Sequence, residues 1–167
     1  GSIIPISKLR INGNTSFCKV GKYRIVHKVT NSIVHPKFDD INFRNDVAVL
    51  KVSPPFKGKY QKPIKLFSPS MKLRLNQRAY ALGWGVTDLY DEEPSEQLRI
   101  VDLRLFRRQR CRIIFGTIVF QLPREGICAG WLNKRKDTCF GDSGGPLFVN
   151  LGNNKKPEYF QIGKTKR

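Results

Sequence analysis

An all-β fold of barrel or sandwich type is the class this sequence predicts, and three observations carry it. Apolar residues come in short alternating or continuous runs, turn-forming Gly, Pro and Asn recur between the runs, and long amphipathic helical patterns are missing. With 167 residues, 40% of them apolar and 26% charged, the chain has the composition of a globular protein with one or two small domains. It contains no low-complexity segment and no strict repeat.

The elements follow in order. "KLRINGNTSF" and "KYRIVHKVTNSIVHP" place Leu9, Ile11 and Ile25 at period-two positions, with Gly and Asn between them, as strands and turns require. "DVAVLKV" runs through Val47, Ala48, Val49 and Leu50 without a polar break and predicts a buried strand. The prolines and glycine of "SPPFKGKYQKP" sustain neither ladder nor helix, so this stretch reads as a linker between two halves. In the second half, "QRAYALGWGVTD" and "QLRIVDLRLF" are strands joined by the acidic turn "LYDEEPSEQ", and only "RRQRCRIIF" suits a short helix.

Charge is lopsided, with 31 Lys and Arg against 13 Asp and Glu, a formal +18. Such a surface attracts nucleic acid, heparin-like glycans or anionic membranes whatever the fold, and most of these residues read as a solvated basic face. No specific nucleic-acid motif and no run of about 18 apolar residues appears, and "GSIIPISK" is too short and polar for a signal peptide. Cys18, Cys111, Cys128 and Cys139 show no CxxC or CxxH spacing, so disulfides are expected rather than a metal, and no cofactor is called for. Asn14, Thr15 and Ser16 form a glycosylation acceptor at Asn14, which together with the cysteines points to a secreted, extracellular protein.

"KDTCFGDSGGPLFVN" sets Ser143 between an aspartate and two glycines. A serine hydroxyl is a poor nucleophile without a neighbouring base, and the chain holds only two histidines, His27 and His35. "DTCFGDSGGPLF" resembles the nucleophile loop of the trypsin and chymotrypsin family of serine proteases. "RNDVAVLKV" is similar to that family's aspartate segment, "IVHPKF" to the strand before it, "ALGWG" to the start of the second barrel, and "GICAGW" to the strand ahead of the specificity pocket.

The resemblance implies two six-stranded β-barrels, incomplete here at both termini: residues 1–53 as the remainder of the first barrel, 54–75 as the interbarrel linker, and 76–167 as a truncated second barrel. It implies hydrolysis of peptide bonds after Arg or Lys, with Ser143 as nucleophile and Asp46 orienting a histidine. The amides of Gly141 and Ser143 would form the oxyanion hole, and Asp137 a buried carboxylate at the base of the specificity pocket. Asp142 would pair with a newly cut amino terminus.

Departures from the family pattern imply an inactive chain. The histidine segment would precede "KLRING", and neither His27 nor His35 matches it. The strand begun by "EYFQIG" stops in "KTKR", taking with it the far wall of the pocket, and the absent amino terminus leaves Asp142 without a partner. The family pattern pairs Cys111 with Cys128, leaves Cys139 without its partner, and puts Ala79 and Val149 where another disulfide stands, while Cys18 is open to two readings, a free thiol or a bond to another chain. Arg107, Arg108 and Arg112 in "LRLFRRQRCR" are a candidate polyanion site that lacks interleaved aromatics. The alternative reading is a noncatalytic homologue that binds a protein or an anionic glycan.

Overall fold

A computed structural model describes residues 4–19, 21–42, 44–88, 90, 93–114, 126–133 and 136–166, with the side chains of 112–114 outside the description. The all-β expectation holds. The described residues contain nine strands in two sheets, one α-helix of seven residues and one 3-10 turn. The chain divides into two compact units, Gly1–Lys62 and Pro63–Arg167.

In the first unit the 3-10 turn Ile6–Lys8 leads into β1 (Arg10–Gly13), β2 (Ile25–Val34) and β3 (Ala48–Ser53), an antiparallel sheet in the order β1-β2-β3. Ile11 pairs with His27 and Ile33 with Val49, with a register shift between Val29 and Asn31. Only His27 and Val29 are buried among this unit's described residues. The expected burial of β3 is corrected: Val47, Val49 and Leu50 are 54%, 66% and 38% exposed. An unbroken apolar run reports what a strand would bury, whereas burial needs a second layer, and β3 lies at the edge of a three-stranded sheet.

The second unit comprises β4 (Lys65–Leu66), β5 (Arg78–Gly83), β6 (Arg99–Phe106), α1 (Arg108–Ile114), β7 (Cys128–Gly130), β8 (Pro146–Asn150) and β9 (Tyr159–Lys164). Its six strands lie in the order β4-β9-β8-β5-β6-β7. Alternation puts Ala79 and Ala81 of β5, Leu103 and Leu105 of β6, and Leu147 and Val149 of β8 into one core with Phe160. Ala79 is flanked by Leu103 on one side and Val149 on the other, so a small residue on the central strand makes room for two large ones. Ala79 and Val149 are cross-strand partners with no exposed surface, so packing fills the place where the family pattern has a disulfide. Burying each Leu or Val contributes about 1.5–3 kcal/mol. Cys111 and Cys128 are disulfide-bonded, with Cα atoms 6.0 Å apart, tying α1 to β7.

Candidate active site

Ser143 lies in the loop that feeds β8, and backbone conformation shapes that loop. Gly141 and Gly144, on either side of Asp142 and Ser143, have φ of 91° and 88°, values that L side chains rarely adopt. Asp142 donates its amide to the Cys139 carbonyl at 3.1 Å, and Gly145 donates to the Asp142 carbonyl at 2.9 Å, so two tight turns present Ser143 at the surface.

The Asp142 carboxylate faces inward. One oxygen accepts the Gly85 amide at 2.9 Å and the other the Cys139 amide at 2.8 Å. Phe140 adds a backbone clasp, its carbonyl accepting the Val86 amide at 2.9 Å. Asp142, expected to lack its usual partner, is satisfied instead by two backbone donors within its own unit. The approach requires glycine, because a Cβ on either Gly83 or Gly85 would collide with the Asp142 side chain.

Thr165, just beyond β9 and 8% exposed, closes the other side. It exchanges backbone bonds with the loop, donating its amide to Gly145 at 2.8 Å and accepting the Gly144 amide at 2.9 Å. Its hydroxyl bonds the Asp142 carbonyl. β9 therefore ends as a strap across the serine loop. Sequence reasoning missed this residue, and the available signal was the threonine two positions beyond the "FQIG" run.

Asp137 lies on a groove of about 780 Å³ lined by Trp131, Lys136, Asp137 and Asp142 among others. Its carboxylate is exposed rather than buried, and it caps its own turn by accepting the Thr138 amide at 2.8 Å. The groove takes its walls from β5, β6 and the 136–142 loop, which leave that carboxylate open to water. Lys136 turns away to bond Asp102 at 2.6 Å, and the Trp131 indole donates to the Asp102 carbonyl at 2.6 Å. The Lys136 ammonium holds the Asp102 carboxyl below its ordinary value of 3.8.

Asp46 belongs to the first unit, whereas Asp137, Gly141 and Ser143 share one loop of the second. It is half-buried at the centre of a tight turn in which Val47 donates to the Asn45 carbonyl at 2.8 Å. Asn45, with φ of 52°, donates its side-chain amide to Lys37 at 2.8 Å. Upstream, Asp39 accepts the Ile41 and Asn42 amides and the Asn42 side chain, bonds that hold its carboxyl below 3.8.

Both histidines have structural hydrogen bonds. His27 is fully buried, with Nδ1 2.6 Å from the Pro54 carbonyl and Nε2 2.6 Å from Gln61 Nε2. A carbonyl only accepts, so Nδ1 carries the proton and Nε2 accepts from Gln61. The Gln61 orientation is fixed in turn, because its Oε1 accepts the Lys57 and Gly58 amides at 3.1 and 2.7 Å. His35 accepts the Lys37 amide on Nδ1 at 3.1 Å.

Asn14 is half-buried with φ of 60°, its Nδ2 donating to the Tyr23 carbonyl at 2.8 Å and its Oδ1 accepting the Tyr60 amide at 3.0 Å. The nitrogen that a glycan would modify is thus the one that bonds Tyr23. Arg107 is exposed and Arg108 half-buried at the start of α1, while the Arg112 side chain lies outside the described residues. Among the described residues no group of His, Cys, Asp and Glu is placed to hold a metal ion, and no helix is long and apolar enough to cross a membrane.

Comparison with known proteins places the chain. The family model described as Trypsin matches residues 8–164. Trypsin CFT-1 of Choristoneura fumiferana is 32% identical over 128 residues, covering 75% of this chain and 50% of that protein. Trypsin, alkaline B of Manduca sexta is 30% identical over 149 residues, covering 87% and 56%. Serine protease snk of Drosophila melanogaster is 35% identical over 148 residues, covering 83% and 32%. The chain spans about half the length of the two trypsins. With the serine loop, its aspartate cradle and the two-sheet all-β architecture in place, the chain belongs to the trypsin family of serine proteases.

Proposed function

We propose that the chain carries the acyl-transfer loop of a secreted serine endopeptidase that cleaves after Arg or Lys, and that residues 1–167 alone are catalytically silent. In this reading Ser143 Oγ attacks the scissile carbonyl, and the Gly141 and Ser143 amides stabilise the oxyanion. Asp137 accepts the basic side chain of the substrate, and Asp46 orients the imidazole that takes the serine proton. The positive φ of Gly141 and Gly144 supports a loop built to present a serine.

The silence rests on one observation: the fully buried His27 uses both ring nitrogens to bond Pro54 and Gln61. A general base must reach the proton it takes, and this ring is committed elsewhere. His35, with Nδ1 accepting a neighbouring amide, lies on the strand-end turn and matches no base segment.

The test is labelling with a fluorophosphonate under conditions that label trypsin to completion. No adduct at Ser143 is expected, and loss of a histidine base alone is worth about 10⁶ in turnover. A chimera that adds the histidine segment and the carboxy-terminal strands, with a freed amino terminus, should label stoichiometrically. Labelling of the unmodified chain, abolished by Ser143→Ala, would overturn the silent reading. A chimera that folds yet stays unlabelled would overturn the assignment of Ser143.

A further inference from the structure

The tripeptide Gly-Lys-Tyr occurs twice in the first unit, at residues 21–23 and 58–60. The structure makes both copies into the same device. Each is a four-residue turn closed from its last amide to the glycine carbonyl, Arg24 to Gly21 at 3.1 Å and Gln61 to Gly58 at 3.0 Å. In each the lysine ammonium lies over the neighbouring tyrosine ring, 5.7 Å from the centroid for Lys22 on Tyr23 and 5.3 Å for Lys59 on Tyr60. Both rings are open to water, at 64% and 67% exposure.

Asn14 joins the two turns. Its amide spans from the Tyr23 carbonyl to the Tyr60 amide, at 2.8 and 3.0 Å. Two hydrogen bonds and one amide group place those backbones within about 8 Å of each other. The glycines permit this fit: a Cβ on Gly58 would press on Asn14 Oδ1 at 2.7 Å and on Gln61 Oε1 at 2.8 Å. Gln61 in turn is anchored on His27, so the second turn is tied to the most deeply buried side chain of the unit.

We infer that the paired Gly-Lys-Tyr turns are a docking site for a sulfated polysaccharide. The inference stands independently of the peptidase reading. The unit carries twelve Lys and Arg against three Asp, a strong net positive charge that favours an anionic partner. Each turn offers a compact ammonium for a sulfate beside an aromatic ring for the apolar face of a sugar, and Asn14 fixes the spacing of the two pairs. Lysine is a point charge that meets one sulfate, and two ammoniums held at a fixed spacing suit sulfates arrayed on a linear glycan. Oligo-dT, whose phosphates and bases match the same ammonium and ring pairs, is the competing polyanion in the test. At α1 one arginine has such a ring, Arg110 over Phe106 at 5.9 Å, whereas the twin turns pair two lysines with two exposed tyrosine rings at a spacing that Asn14 fixes.

A size-defined fluorescent heparin oligosaccharide, titrated by anisotropy over a salt series, tests the site. Lys22→Gln with Lys59→Gln should weaken binding about tenfold and lower the log–log salt slope by about 1.5–2. The charge-matched control, Lys155→Gln with Lys156→Gln, and the Arg107, Arg108 and Arg112→Gln triple should each change affinity less than about twofold. Tyr23→Leu with Tyr60→Leu, which leaves charge intact, should cost about fivefold. Asn14→Ala should weaken binding similarly; if it unfolds the unit, the exposed Lys and Tyr variants still decide. Oligo-dT and poly-glutamate of equal charge should bind about tenfold more weakly. Equal loss in the control pair, no loss in the tyrosine pair, or equal binding of either other polyanion would overturn the site.

Discussion

Gly85 donates its amide to a carboxylate oxygen of Asp142 at 2.9 Å across 57 positions of chain, and no other residue type fits at Gly85. A Cβ there would lie 2.6 Å from both the Asp142 side chain and the Phe140 carbonyl. Gly85→Ala is expected to destabilise the second unit by about 1–3 kcal/mol, because a backbone oxygen cannot swing aside. Denaturant midpoints measure the cost, and faster hydrogen exchange at Cys139 and Val86 should show the serine loop loosening.

Thr165→Val tests the opposite strap. The substitution keeps shape and removes the hydroxyl that bonds Asp142 and Gly145. A loss of about 1 kcal/mol is expected, with a larger effect on exchange of the Gly144 amide than on the β5 and β6 core. Uniform loosening of the whole sheet would show that Thr165 has no special hold on the loop.

His27→Ala should cost the first unit about 2–5 kcal/mol, since it opens a cavity and strands the Pro54 carbonyl and the Gln61 amide. His35→Ala, which gives up one bond to the Lys37 amide at a turn, should cost about 0.5–1 kcal/mol. Exchange protection along β2 separates the two. A similar small effect from both would mean that the His27 network is not structural.

The Asp102–Lys136 pair has a defined pH window. Lys136 lowers the Asp102 carboxyl below 3.8, so the folded state favours the charged form. The pair's contribution is fully present above 3.8, the value expected unfolded, and is lost as pH falls through the lower folded value. A carboxyl carbon titration by NMR should show an Asp102 midpoint below 3.8 that rises in Lys136→Met. An unchanged midpoint would remove Lys136 as the cause.

In the second sheet β5 and β6 were legible because alternation there matches burial, Ala79, Ala81, Leu103 and Leu105 pointing into one core, whereas Leu147, Phe148 and Val149 of β8 are buried without alternating. The first was legible only as strands. Val49 and Leu50 have the composition of a buried run, yet what covers a strand lies outside its own residues. The serine loop could be read from its glycines, but the satisfaction of Asp142 could not. Its donors are backbone amides of Gly85 and Cys139, and a backbone donor has no letter in a sequence. Thr165 and the twin turns were missed for a related reason, since their meaning comes from the partners that Asn14 and Asp142 bring to them.

The Cys111–Cys128 bond brackets a stretch that contains Arg112 and Arg124, both sites for a protease that cuts after basic residues. A single cleavage after either arginine would leave the chain's two pieces covalently attached. Such a cut would be invisible to size measured without reductant and would appear as two bands once the bond is opened. The bracket thus lets a nicked chain persist as a two-chain species joined through Cys111 and Cys128.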